Sequence, residues 1–180
     1  MKKIPTALVR NPDDRAHVLM EINADCEWVF AGEGRATRKW DGTCTMLDED
    51  GKWWARREVK PGKNPPPNYV LEDFDDITGK SQGWEPIDQS SFIKAFRSVN
   101  DMPTEPGTYE LIGPKINGNP EQRDEHALVR HGTTFVMGIR GADIPTVVAT
   151  VQDLGKAGIE GIVWHHPDGR MAKLKGLDIE

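Results

Sequence analysis

Residues 158–179 read GIEGIVWHH from Gly158 to His166, then Pro167-Asp168-Gly169, then RMAKLKGLDI from Arg170 to Ile179. Two apolar-rich runs around a Pro-Asp-Gly turn are the signature of an antiparallel hairpin. Glu160 interrupts the first run, which otherwise has the composition of a buried strand. In the second run the two-residue period puts Lys173 and Lys175 on one face and Leu174 on the other. Two lysines on one strand face repel each other, so an anionic ligand is expected over them. A phosphate is the simplest choice.

The chain before the hairpin extends the pattern. Pro145 opens a predicted helix with Val147, Val148, Val151 and Leu154 on one face, closed by Gly155. TYELIG, residues 108–113, reads as a strand, and Asn117-Gly118 as a turn. Ser90 or Ser91 is expected to cap a helix carrying Phe92, Phe96 and Val99 on its apolar face. Residues 60–88, with Pro65-Pro66-Pro67, read mostly as loop. Between Glu27 and Glu58 short runs alternate: WVFAGEG (28–34), ATRKWDGTCTML (36–47) and GKWWARREV (51–59). Asp48-Glu49-Asp50-Gly51 is a hairpin turn between the last two, and Trp53 and Trp54 fall on opposite strand faces. Asn11-Pro12-Asp13-Asp14 resembles a helix start. Strands dominate, so the expected class is α+β with antiparallel sheets, as one domain over residues 1–180.

Composition limits the function. The chain has 180 residues, 37% hydrophobic and 29% charged, which suits a globular domain with a sizeable core. No apolar run approaches the roughly 20 residues a membrane helix needs. The start, MKKIPTALVRNPDD, reaches proline and charge before a signal-peptide core forms, so a cytoplasmic location is expected. Cys26 and Cys44 lie in no CxxC motif, and adjacent His165 and His166 point to opposite strand faces, so no four-ligand zinc set is legible. The net charge of -6 argues against a protein that merely coats nucleic acid. One segment runs the other way. Lys52, Arg56, Arg57, Lys60 and Lys63 crowd a stretch holding a single acid, Glu58.

Four short segments place charge inside apolar or tightly turning backbone: KWDG at 39–42, ELIG at 110–113, EGIV at 160–163 and KLK at 173–175. Each alone is common. Their order resembles motifs I, III, IV and V of the covalent nucleotidyltransferase superfamily, the ATP-dependent ligases and capping enzymes. KWDGTC, ELIGPKINGNP, HGTTF and IEGIVWHHPDGRMAKLKG further resemble the small single-domain RNA 5′–3′ ligase family of vertebrate type. WARRE followed by KPGK fits that family's region after the nucleophile. The similarity covers most of residues 27–177.

The resemblance implies a nucleotidyltransferase fold and a three-step reaction with ATP and Mg2+ or Mn2+. Lys39 matches the nucleophile that becomes lysyl-adenylate. The AMP then passes to an RNA 5′-phosphate, and a 3′-hydroxyl displaces it to seal or repair the strand. Glu110 matches the acid near the ribose, and Glu160 the acid that holds the metal, with Asp41 as a second carboxylate. Lys173 and Lys175 match the pair on the nucleotide phosphates. Arg56 lies where such ligases keep an arginine for ribose or phosphate, and Phe135 resembles the aromatic that stacks on adenine. Cys44 stands where many DNA ligases have arginine, which argues against the DNA branch. The end at Glu180 leaves no appended OB-fold, so capping chemistry is not expected.

Physical chemistry agrees with these roles. A free lysine has a pKa of about 10.4, so a nucleophilic one needs neighbouring cations to release its proton. The same cations neutralise charge on a transferring phosphoryl group. Arg57, Lys60 and Lys63 match no motif and are candidates to grip RNA, alone or together with a protein partner. Gly32-Glu33-Gly34 lacks the GxxxxGK of a phosphate loop and reads as a turn. His126, His131 and His165 are acid–base candidates with no partner legible in the sequence. Two rival functions remain: a nucleotidyltransferase that stops after adenylylating RNA or another acceptor, and an inert nucleotide- or RNA-binding module. Retention of Lys39, Glu160, Lys173 and Lys175 together speaks against the second.

Overall fold

The computed structural model describes residues 2–180. Its strands and α-helices are β1 (Leu8–Arg10), β2 (Val18–Ile22), α1 (Glu27–Phe30), β3 (Arg35–Lys39), β4 (Thr43–Leu47), β5 (Trp53–Val59), β6 (Val70–Asp75), β7 (Lys80–Pro86), α2 (Ile93–Arg97), β8 (Gly107–Ile112), β9 (Ala127–Arg130), α3 (Ile144–Lys156), β10 (Gly161–His165) and β11 (Met171–Lys175). Every pairing between these strands is antiparallel, so the chain is α+β. The chain divides into two compact units. A terminal unit is made of Ile4–Trp40 and Gly132–Glu180, and a central unit of Asp41–His131 with Lys2 and Lys3.

The terminal unit is built on a three-stranded sheet in the order β11-β10-β3, beside the β1-β2 hairpin. Ile162, Trp164, Ala172 and Leu174 alternate onto one face and are buried against Val147, Val148 and Val151 of α3. The helix begins where its cap dictates: Asp143 Oδ1 accepts from the Thr146 amide at 3.0 Å, and Pro145 sits in the first turn. With that face filled, Lys39, Lys173 and Lys175 take the other.

The central unit carries a six-stranded sheet, β6-β7-β5-β4-β8-β9. One face buries Ala55 and Leu111 with Phe96 of α2, Val99 and Ile116. Trp53 closes this core with its ring 5.1 Å from Phe96 and 5.5 Å from Tyr109. Trp54 turns the other way, donating from Nε1 to Asp48 Oδ2 at 2.7 Å.

Four expectations need correction. Asn11–Asp14 begins no helix; Asn11 Oδ1 accepts from the Asp13 amide and Asp14 Oδ1 from the Ala16 amide, in turns between β1 and β2. Trp28-Val29-Phe30 lies in α1, not in a strand. Residues 60–88 hold the β6-β7 hairpin. The helix expected after Ser90 is short, Ile93–Arg97, although Ser90 Oγ accepts from the Phe92 amide and Phe96 and Val99 are buried as expected. No helix among the described residues is long and apolar enough to cross a membrane.

Gly161 is the tightest backbone contact in the terminal sheet. It lies between Lys39 on β3 and Lys175 on β11, with φ at +157°, and an added Cβ would stand 2.2 Å from the Leu174 carbonyl oxygen. That atom is backbone and cannot swing away. Gly161→Ala is therefore expected to destabilise the protein by about 2–3 kcal/mol, the upper range for a single substitution. Urea unfolding measures it, and a loss within 0.5 kcal/mol, roughly that of a neutral surface change, would contradict the packing argument.

Candidate active site

The hydrogen-bond register of the terminal sheet explains how four charged residues far apart in sequence meet. Lys39 ends β3 and Lys175 ends β11, both directly opposite Gly161, and Glu160 immediately precedes that glycine. Lys39 Nζ donates to Glu160 Oε2 at 2.5 Å, and Lys175 Nζ lies 2.6 Å from Oε1. Both carboxylate oxygens are engaged. Lys173 lies one rung further along the sheet, opposite Val163, on the same face.

Lys173 has the most perturbed ammonium. Burial pushes its pKa down to about 8, and Lys175 and Lys39 push the same way against Asp178 and Glu160. Like-charge crowding means this face has more cations than its carboxylate can satisfy. That is the arrangement expected of a surface meeting a polyphosphate.

The same face continues past the lysines. Thr37 Oγ1 lies 3.1 Å from the Val163 carbonyl oxygen and 3.0 Å from His165 Nε2. Phe135 bridges to Thr37, so its ring shares the lysine side of β3. It is half-exposed (51%), with the Arg35 guanidinium 5.5 Å from the ring centroid. A pocket of about 240 Å³ is lined by Phe135, Arg35, Ala36, Met137, Arg140 and Trp164.

The central unit holds the remaining candidates. Glu110 is buried on β8, directly opposite Cys44 of β4. Its Oε1 accepts from the Gly42 amide at 3.1 Å, and its Oε2 lies 2.7 Å from His131 Nε2. Arg56 donates from Nε to Gln82 Oε1 at 3.2 Å. Asp41 Oδ1 accepts from Asn117 Nδ2 at 2.9 Å. Arg57 points away from Arg56, 4.0 Å from the buried carboxylate of Glu85, while Lys60 and Lys63 are exposed. The structure thus brings Lys39, Glu160, Lys173 and Lys175 together in one unit, and sets Glu110, Arg56 and Asp41 in the other.

Three histidine contacts were not legible in the sequence: His131 with Glu110, His165 with Thr37, and His126, whose Nδ1 lies 2.7 Å from Ser98 Oγ. Each depends on cross-strand or loop pairing between residues 21 to 128 positions apart. A strand-period argument from Glu110 to the position opposite Thr108 could have found His131 alone.

The RNA ligase 1 family matches residues 96–178 of this chain. Over that segment, which is under half of the chain, the sequence is similar to RNA ligase 1. RNA ligase 1 of Danio rerio is 33% identical over 72 residues, covering 37% of this chain and 22% of that protein. RNA ligase 1 of Mus musculus is 28% identical over 154 residues, covering 68% of this chain and 45% of that protein. The chain therefore spans less than half the length of these relatives. The segment shared with RNA ligase 1 includes Glu110, Phe135, Glu160, Lys173 and Lys175. Lys39 and Arg56 precede it.

The depressed pKa of Lys173 fixes the sign of a pH effect. Between about 8 and the ordinary lysine value of 10.5 the unfolded chain binds the proton that the folded protein releases. This group's contribution to stability therefore rises with pH across that window, and its cost is fully present below about pH 8. Lys173→Met is expected to stabilise the protein at pH 7, by up to about 3 kcal/mol, with the gap closing by about pH 10. Urea unfolding at both pH values tests this; a gap that does not narrow would contradict it.

Proposed function

We propose that this protein is an ATP-dependent RNA ligase that joins 5′-phosphate to 3′-hydroxyl ends through AMP carried on Lys39. The observation that carries the reading is the three-lysine face around Glu160, with Lys39 and Lys175 sharing one carboxylate. The names of the relatives favour ligation over a binding module.

In the proposed reaction nucleotide binding draws Lys39 off Glu160, to which it is otherwise hydrogen-bonded, and Lys39 Nζ gives its proton to solvent. The free amine attacks the α-phosphorus of ATP; an N–P bond forms and the P–O bond to pyrophosphate breaks. Lys173 and Lys175 draw off the negative charge that builds on the phosphoryl oxygens. A 5′-phosphate oxygen of RNA then attacks the same phosphorus, the N–P bond breaks, and Lys39 regains a proton. Finally a 3′-hydroxyl oxygen attacks the RNA 5′-phosphorus, its proton is lost, and AMP departs.

A divalent ion suits the chemistry of the site, since Mg2+ prefers carboxylate oxygen and phosphate. Glu160 would hold it in the terminal unit once nucleotide phosphates draw Lys39 and Lys175 away; Asp41 is a separate candidate carboxylate of the central unit. When bound it supplies further positive charge against the phosphates. Phe135 is the proposed adenine platform, its half-exposed ring lying on the lysine side of β3. Glu110 and Arg56 are the proposed ribose and phosphate contacts of the central unit.

Incubation with α-labelled ATP and Mg2+, followed by a denaturing gel, is expected to leave label on the protein through an acid-labile phosphoramidate. Lys39→Ala and Lys39→Arg should both lose it, because the guanidinium keeps its protons and cannot attack. Label that persists in Lys39→Ala would remove Lys39 from the reaction. Adenylylated RNA accumulating without joined strands would favour an enzyme that stops at adenylylation.

RNA grip is proposed for Arg57, Lys60 and Lys63. Changing all three to alanine is expected to spare Lys39 adenylylation and weaken strand joining. The log–log salt slope of RNA affinity should flatten by roughly 0.7 per phosphate contact removed from a single strand. Joining and slope both equal to those of the parent protein would exclude this surface.

A further inference from the structure

Cys44, Glu110 and His131 come from two strands and the residue after a third, yet they form a compact donor set. Cys44 and Glu110 are directly opposed on β4 and β8. The His131 amide donates to the Thr108 carbonyl at 3.1 Å, which places His131 beside Thr108, two residues from Glu110 on the same strand face. The Cys44 thiol, a Glu110 carboxylate oxygen and a His131 ring nitrogen all lie within 4.8 Å of one another. A tetrahedral zinc with bonds of about 2.0–2.3 Å holds its ligand atoms roughly 3.3–3.5 Å apart. The longest separation therefore needs to shrink by little more than about 1 Å, and the 2.7 Å contact between Glu110 Oε2 and His131 Nε2 to open by somewhat less, both within side-chain adjustment.

The outer contacts are those a metal site requires. Glu110 Oε1 is held by the Gly42 amide at 3.1 Å, which leaves Oε2 to face His131. His131 Nδ1 lies 2.9 Å from Thr108 Oγ1. Each ring nitrogen of His131 thus has a polar partner, Thr108 at Nδ1 and Glu110 at Nε2, so a metal that replaces the Nε2–H···Oε2 hydrogen bond meets a ring still oriented through Nδ1. Solvent reaches the set, since the His131 and Glu110 side chains are 21% and 11% exposed.

We propose that the central unit binds one divalent ion of the zinc class through Cys44 Sγ, Glu110 Oε2 and His131 Nε2. A water completes the tetrahedron. Thiolate, imidazole and carboxylate together select zinc over magnesium or calcium, which take oxygen alone. On binding, the Cys44 thiol gives its proton to solvent and its sulfur pair to the metal. The second group among the described residues with metal-ligand spacing, Asp14, His17 and Glu180, lacks sulfur and is mostly exposed, so it makes no comparable claim. This site rests on the side chains of the central unit and stands independently of the ligase reading. If that reading also holds, the ion occupies the Glu110 oxygen proposed for the ribose, and zinc would inhibit adenylylation.

The test is titration of chelator-treated full-length protein with Co2+, followed by absorption. One equivalent is expected to saturate tetrahedral d–d bands and a thiolate-to-cobalt charge-transfer band, and Zn2+ should displace both. Cys44→Ser should abolish the charge-transfer band, whereas Cys26→Ser, at the other cysteine, should keep it. His131→Ala, at a partly exposed position, should weaken Co2+ binding by more than the about 10–100-fold that loss of an outer-shell partner costs. Thr108→Val should fall within that range. Circular dichroism reports whether each variant folds; if Cys44→Ser does not, His131→Ala and Thr108→Val decide. Absence of stoichiometric binding at micromolar metal overturns the proposal, as does parental affinity in the folded His131→Ala protein. Adenylylation plays no part in this readout, so its failure and the failure of the site are separate results.

Discussion

Glu160 stands before the middle strand of the terminal sheet with one lysine on each carboxylate oxygen, and a third lysine lies one rung away. An ionic cluster of this kind is not an economical way to hold a sheet together. Partly burying three ammonium groups and one carboxylate costs desolvation, and one negative charge cannot balance three positive ones. The downward shift of Lys173 records first its burial and then the crowding by Lys175 and Lys39. The rest of the unit is arranged to tolerate it. Gly161 lets β10 lie close against the β11 backbone, and the opposite face is filled with Ile162, Trp164, Ala172, Leu174 and the valines of α3. Stability comes from the apolar face, which leaves the charged face without a packing role.

How much of this could be read from the sequence follows from the range of the interactions involved. Local periodicity was enough for the C-terminal hairpin and for α3, where Pro145, the valine stripe and Gly155 all agree. It was enough to place Lys173 and Lys175 on one face. It misread Asn11–Asp14 because asparagine and aspartate side chains accept amide hydrogen bonds equally well in a turn or at a helix cap. It passed over β6 because an edge strand need not alternate: Val70, Leu71 and Phe74 are about half-exposed, with Glu72, Asp73 and Asp75 among them. The single turn of α1 is too short for helical periodicity to show.

The candidate site divides along the same line. The family resemblance picked out Lys39, Glu160, Lys173 and Lys175, and the sheet register brings these four together. No sequence pattern announced that Glu110 would share His131 and face Cys44, because each contact spans a strand pairing set by the whole central sheet. Cys44 was informative in the sequence only as a departure from an expected arginine. In the folded protein it is one vertex of a mixed sulfur, nitrogen and oxygen donor set.

Net charge proves a poor guide to what this protein can bind. A value of -6 spread over 180 residues acts through a solvent whose Debye length is about 8 Å at physiological salt. A phosphate would therefore respond to the charges within its own screening distance, and on the terminal sheet these include the three ammonium groups of Lys39, Lys173 and Lys175 against the carboxylates of Glu160 and Asp178. The acidic excess lies partly elsewhere, as on β6, where Asp75 is paired with Lys3 at 2.7 Å. Composition excludes a protein that coats a polyanion along its whole surface, since that needs many cations in register with many phosphates. It leaves room for one that grips a polyanion at a single point, and the proposed reaction requires only that the reacting phosphates be held.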